Sequence, residues 1–299
     1  DELYVVGNQG EVLYFDGLDW QQLPTGTGVR LNAVWGRSAN EVYVGGWDGS
    51  VRRWDGTDWQ DISPPWGTLV QGIWGTATDL YVVAGSGDVM RYDGSSWSLE
   101  SSGHSGLSGI WGSGPNDIFV AGSNPAMLHY DGTSWSPMSL STWGGLFSVW
   151  GTAANDVYAL GSEYPATVVF HYDGTAWTRQ FEDSSIYCSR LWVAPGGDVF
   201  GVGSELLYSD GVSWHTSALV HSDGNLFGIW GRSAVDVWAV GAGGAMLHRD
   251  WLGWHEVLAG PQRDLQDAWG SVADHTTLED LVGRDGSADG PPAADRPSV

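Results

Sequence analysis

The sequence predicts an all-β chain folded as a seven-bladed β-propeller of four-stranded blades. Three observations carry that prediction. A Trp-Gly mark recurs at Trp35-Gly36, Trp74-Gly75, Trp111-Gly112, Trp150-Gly151, Trp230-Gly231 and Trp269-Gly270, and Trp192-Val193 holds the same position. Successive marker tryptophans lie 39, 37, 39, 42, 38 and 39 residues apart. A second mark, Asp followed four residues later by Trp, recurs at constant spacing from Asp16/Trp20 to Asp250/Trp254. A period of about 40 residues holding four short alternating runs is that of a propeller blade.

Residues 70–97 show one unit in full. The apolar run from Val70 closes on Trp74-Gly75, and Asp79 then leads into Leu80-Tyr81-Val82-Val83, stopped by Gly85. A Gly/Ser loop precedes Val89-Met90-Arg91-Tyr92, the Asp93-Gly94 turn follows, and Trp97 opens the outer strand. Alternation broken by Gly and Asp-Gly turns gives strands and leaves no room for a helix. The chain enters inside a unit, because Glu2–Gly7 match Asp79–Gly85 without the leading Trp-Gly strand. That strand appears last, as Leu265–Gly270. A closing blade made from the N-terminal strands plus a C-terminal inner strand leaves no open sheet edge at the seam. The expected division is a propeller over residues 1–272 and a C-terminal segment over 273–299. In that segment Thr277 and Asp280 have capping-box spacing for a short helix, before a Gly/Pro/Asp-rich tail.

Leu3-Tyr4-Val5-Val6-Gly7, then Tyr14-Phe15-Asp16-Gly17 and Trp20, resembles the kelch pattern. Val42-Tyr43-Val44-Gly45-Gly46 with Trp54-Asp55 and Trp59 does so too. The added Trp-Gly strand resembles repeat propellers of secreted bacterial proteins. The resemblance spans about residues 2–270 and implies a propeller. That fold serves enzymes, lectins and scaffolds alike, so function has to be read from departures from the repeat.

The chain has 20 Trp and 45 Gly. Fourteen of the tryptophans belong to the two marks and are expected to pack between neighbouring blades. Its 12 basic residues are all Arg and face 36 acidic ones, for a net charge of −24. That field repels phosphate backbones and anionic membranes, which argues against nucleic-acid partners and membrane insertion. Much of the acid is repeated. Besides the turn Asp, Glu2, Glu41, Asp79, Asp117, Asp156, Asp198 and Asp236 open the second strands, where they are expected to bond their own turn backbone. The lone Cys188 stands four residues before a marker Trp, in the slot held elsewhere by Leu31, Val70, Leu107, Leu146, Leu226 and Leu265. It is expected to be a buried, inert thiol. The chain begins at Asp1, as expected of a mature or trimmed product, and an extracellular or cell-surface location is expected.

Six tryptophans lie outside the marks. Trp54 and Trp238 fill repeated aromatic positions, and Trp251 replaces a turn glycine. Trp47 lies in a loop between strands two and three, and Trp66 and Trp143 lie in links between blades. Up-and-down strand order puts all three on one face, with Tyr164 of Ser162-Glu163-Tyr164-Pro165 beside them. Indoles stack on apolar sugar faces or peptides while neighbouring carboxylates supply hydrogen bonds. The candidate ligand-binding residues are therefore Trp47, Asp48, Trp66, Trp143, Glu163 and Tyr164. The expected function is a non-catalytic exported binding module for a carbohydrate or protein partner. The alternative is a structural subunit of a surface assembly that self-associates through its C-terminal tail.

No catalytic, metal or cofactor site is expected. His129, His171 and His248 share one repeated position on separate blades and cannot converge on an ion. His221 and Asp223 share a loop but make only two ligands. Asp48, Asp55 and Asp58 lack the alternating oxygen ligands of a calcium loop. Arg30, Arg52, Arg91 and Arg190 are scattered in sequence, so no arginine cluster of the kind sialidases close on a carboxylate can be assigned. Cys188 in a core slot argues against the copper chemistry of galactose oxidase, and no nucleophile–base pair has local support.

Overall fold

Seven antiparallel sheets of four strands each make up the computed structural model, which describes residues 2–124, 126–218, 224–257 and 263–271. Blade 1 comprises Leu31–Ser38, Glu41–Gly46, Val51–Trp54 and Trp59–Asp61. Blades 2 to 6 open at Val70–Gly75, Gly109–Gly114, Gly145–Ala153, Cys188–Val193 and Leu226–Ser233. Each inner strand contacts the next, and the inner strand of blade 7 contacts that of blade 1, which closes a ring. Blade 7 is the expected composite. Its inner strand Leu265–Ser271 pairs antiparallel with Glu2–Gly7, Tyr4 opposite Trp269, and Val12–Phe15 and Trp20–Gln22 complete it. Among the described residues, helix is limited to two 3-10 turns, Asn8–Gly10 and Ala242–Gly244, and no helix is long and apolar enough to cross a membrane. The C-terminal segment 273–299, with Thr277 and Asp280, lies outside the described residues, as do His221 and Asp223.

The Trp-Gly mark is explained by the neighbouring blade. The ring of Trp35 lies over Gly75 of blade 2, Trp74 over Gly112, and Trp111 over Gly151. Trp192 lies over Gly231, Trp230 over Gly270, and Trp269 over Gly36 of blade 1, so the contacts run across the seam between the last blade and the first. A Cβ at Gly36 would stand 2.6 Å from the Trp269 ring, well inside van der Waals contact. Only glycine lets each indole lie flat on the next strand. The seventh step is the exception, since Val193 stands where the glycine would be. Trp150, whose place that is, packs instead against hydrophobic clusters on several blades, including the one containing Trp230 and Trp269 across the ring.

The outer tryptophans follow the same neighbour rule. Trp135 meets Tyr81 edge-on, Trp177 meets Phe119, Trp254 meets Phe200 and Trp20 meets Trp238, each on the preceding blade. Large rings thus fill the inter-blade wedges, as the sequence led us to expect.

The repeated carboxylates divide into two kinds. Each turn Asp caps its own turn: Asp16 Oδ1 accepts the Leu18 and Asp19 N–H groups, both at 2.8 Å, and Gly17 takes a φ of 97°. Such backbone bonds hold the carboxyls of Asp16, Asp55, Asp131 and Asp210 below the ordinary range. The acids opening the second strands were expected to do likewise, and they do not. Each crosses to the third strand instead: Glu2 to Tyr14 at 2.7 Å, Asp79 to Arg91 at 2.8 Å, Asp198 to Tyr208 at 2.6 Å. Glu41 meets Arg53 at 3.2 Å, Asp117 meets His129 at 2.6 Å, and Asp156 and Asp236 meet His171 and His248 at 2.8 Å. The register explains this. Arg91 lies opposite Tyr81, which puts Asp79 on the diagonal of the same sheet face. The three histidines therefore each have a carboxylate on their own blade. Cys188 is fully buried, and burial, with the Glu205 charge second, pushes its thiol up to about 12.

Candidate binding face

The hairpin between strands two and three of blade 1 carries Trp47. Its N–H donates to the Arg30 carbonyl at 2.9 Å, and Asp48 Oδ1 accepts the Ser50 N–H at 3.0 Å, with Gly49 at a φ of 85°. The link carrying Trp66 packs directly on this hairpin, since a Cβ at Gly49 would run into the backbone of Gly67 and Thr68. Both rings are presented to solvent, Trp47 at 55% exposure and Trp66 at 47%.

The second pair stands between blades 3 and 4. Trp143 is 73% exposed in the inter-blade link, and Tyr164 is 85% exposed at the hairpin tip of blade 4. Glu163, between them, is only 4% exposed. Its Oε1 accepts the Thr142 hydroxyl at 2.7 Å and the Trp143 N–H at 3.4 Å, and Arg179 donates to Oε2 at 2.7 Å. Burial pushes the Glu163 carboxyl up, but these bonds and the Arg179 charge outweigh it and leave the group below its ordinary value. Glu163 was expected to contact a ligand directly. With both oxygens engaged and the side chain covered, it positions the Trp143 loop instead. Asp48 is also engaged with its own turn, while remaining exposed.

The same face holds an aromatic residue that sequence reasoning missed. Tyr187, in the link entering blade 5, is 44% exposed, and its N–H donates to Glu205 at 3.1 Å. The signal was available in the column just before the core slot, which reads Arg30, Leu69, Gly106, Gly145, Tyr187, Asn225 and Asp264. Arg30 and Tyr187 are its large departures.

The central channel opens on both faces. Away from the aromatic loops, the marker tryptophans line a cavity of about 890 Å³, where Arg37 and Arg232 are paired with Glu41 and Asp236. On the aromatic-loop face the mouth narrows to about 130 Å³, among Arg30, Asn32, Trp47, Arg190, Phe227 and Gln266. The Arg30 guanidinium stands 5.1 Å from the centre of the Trp47 ring and donates to Gln266 Oε1 at 2.5 Å. Farther in, Asp267 is half-buried against the channel, with Oδ2 accepting the Val34 N–H at 3.1 Å. Burial pushes its carboxyl up to about 6 from 3.8, and the Val34 bond and the Arg190 charge offset only part of that rise. The folded state thus holds this proton more tightly than the unfolded chain does. Its contribution to stability is complete below about pH 4 and is lost as pH rises through about 6, a change of about 3 kcal/mol. In Asp267→Asn, which stays neutral, stability relative to the native protein is expected to climb across that window and level off on either side. Denaturant unfolding from pH 3.5 to 8 measures this, and a flat difference would contradict it.

The fold defines the chain as a seven-bladed β-propeller. Among the described residues no group of three or more His, Cys, Asp or Glu is placed to hold a metal ion. No family model matches the chain, and no curated protein matches its sequence. Solved structures do resemble it. YCF48 bound to D1 peptide superposes with a TM-score of 0.64 at 16% identity, covering 85% of this chain and 88% of that one. The WD40 propeller domain of Doa1 gives 0.65 at 12% identity, covering 85% and 88%. Virginiamycin B lyase from Staphylococcus aureus gives 0.67 at 9% identity, covering 76% and 83%. At these identities the likeness is one of fold, shared by a peptide-bound protein and an enzyme.

Proposed function

We propose that this chain is a non-catalytic binding module, presented outside the cell or at its surface, that takes a protein or carbohydrate partner on the aromatic-loop face. One observation carries the reading: four large rings, Trp47, Trp66, Trp143 and Tyr164, stand between 47% and 85% exposed on one face of a molecule whose repeated aromatics are buried or half-buried. Their loops are fixed from below by the Arg30 carbonyl, the Asp48 turn and Glu163, so little ordering entropy opposes binding. Rigid indoles of this kind supply most of the contact energy in recognition surfaces. Asp48 offers a carboxylate at the rim, and Glu163 keeps the Trp143 loop in place. The repeat itself we read as kelch-like with an added Trp-Gly strand. A protein partner draws further support from the peptide-bound neighbour of the same fold, an argument by analogy. The test is a glycan and peptide array probed with the native protein and with the Trp47→Ala/Trp66→Ala/Trp143→Ala variant. The interactions should fall at least about tenfold in the variant, in line with the loss of central aromatic anchors. A folded variant that keeps every interaction overturns the reading.

A further inference from the structure

The narrow mouth on the aromatic-loop face brings together two arginines that are 160 positions apart in sequence. Arg30 enters blade 1 and Arg190 lies on the inner strand of blade 5, and both line the same cavity. Six arginines of this acidic chain, Arg37, Arg52, Arg53, Arg91, Arg179 and Arg232, sit on carboxylates, and Arg249 lies over the Phe200 and Tyr208 rings. Arg30 and Arg190 do not sit on carboxylates. Arg30 donates to the Gln266 amide oxygen, and Arg190 to the Ser189 carbonyl at 3.1 Å. The two cations also repel: burial, and then the Arg190 charge, push the Arg30 pKa down, against the pull of Asp264.

The acids nearest to them are engaged with other groups. Asp264 accepts the Gly243 N–H at 2.9 Å and the Asn8 amide at 3.3 Å. Asp267 accepts the Val34 N–H and faces only Arg190 from inside the channel. Asn32 donates to the Val70 carbonyl at 3.1 Å, and its buried Oδ1 has no hydrogen-bond partner. The mouth therefore holds two guanidinium groups with no carboxylate in direct contact, the Asp264 and Asp267 charges standing farther off, with amide side chains at its wall and Trp47 and Phe227 as apolar sides.

We propose that this cavity binds a peptide carboxylate, its oxygens bridging Arg30 and Arg190. Guanidinium forks match carboxylate geometry, and charge-assisted bonds are the strong class. A cavity of about 130 Å³ has room for a chain end or one acidic side chain. The amide wall is complementary to a peptide group beside that carboxylate. The inference deepens the proposed function: the aromatic loops hold the partner, and the channel mouth reads its charge.

The experiment uses the full chain and follows the Trp47 indole N–H by NMR. Four probes are titrated: N-acetylglycine, N-acetylglutamic acid α-amide, N-acetylglycinamide and glucuronate. At least one of the two peptide acids is expected to shift the signal and the neutral amide is not; which acid does so separates a chain end from a side chain. Arg30→Gln and Arg190→Gln should each weaken that binding at least about tenfold. Trp66→Ala/Trp143→Ala should leave it intact, so failure of the aromatic-loop reading and failure of this one are separable. The proposal is overturned if the amide shifts the signal as the acids do, if neither peptide acid shifts it, or if both arginine variants bind unchanged. A response to glucuronate alone likewise overturns it. The acid-against-amide comparison needs no variant, so a misfolded mutant cannot rescue the idea.

Discussion

Gly36→Ala is expected to lower the unfolding free energy by about 1–3 kcal/mol, although it adds only one methyl group to a residue with no side chain. The three atoms nearest to the added Cβ all belong to the Trp269 ring. An indole wedged between blades 7 and 1 cannot move aside without disturbing Tyr4, whose ring centre is 6.1 Å away, and the composite blade behind it. Trp269→Ala alone should cost about 3–5 kcal/mol, the range for emptying a large aromatic site. In that background Gly36→Ala should become neutral or slightly stabilising, because the clash is gone and alanine restricts the unfolded chain. Chemical denaturation of the four proteins of this cycle measures the coupling. Additive effects would mean that the Trp-on-Gly contact does not constrain the ring.

The larger effect is expected at the seam. A chain ending at Asp264 loses the inner strand of blade 7 and, with it, the buried Leu265, Ala268 and Trp269. Glu2–Gly7 is then left as an open sheet edge, Trp230 loses its Gly270 seat, and Gly36 loses its covering ring. A propeller in which every blade contacts two others cannot close over that gap. The expected result is loss of the single cooperative thermal transition, with aggregation through the exposed edge. A shortened chain that melts within a few degrees of the full one would contradict the composite-blade account.

Much of this architecture is legible in the sequence because it repeats. The two marks count the blades, the displaced inner strand reveals the closing blade, and register alone assigns Cys188 to a core slot. Periodicity reveals columns of equivalent residues, but not which columns touch. The second-strand acids and the Tyr/Arg/His column of the third strand are both visible, yet their pairing depends on the diagonal set by strand register. The glycine of the Trp-Gly mark is equally plain, while its reason, an indole from the neighbouring blade about 40 residues away, is not.

The candidate site was less legible. The exposed rings could be placed on one face because up-and-down strand order decides the face. Glu163 could not be recognised as covered, because its partners Thr142 and Arg179 come from another loop and another strand. Arg30 and Arg190 read as scattered because the ring brings opposite blades together only at its axis. A signal for Arg190 did exist: two positions after the core slot the residues are Ala33, Gly72, Gly109, Ser148, Arg190, Gly228 and Asp267. Small residues are the rule where inner strands crowd the channel, and the two charged exceptions mark where it is not merely packed.

The proposed recognition surface occupies one face of this disc and not the other. The most direct measurement compares two folded variants against the native protein on one glycan and peptide array. In one, Trp47, Trp66 and Trp143 are replaced by alanine; in the other, the exposed Leu18, Trp251 and Leu252 of the opposite face are replaced. The first variant is expected to lose the interactions of the native protein and the second to retain them. Loss in the second variant with retention in the first would place the binding surface on the opposite face and contradict the account.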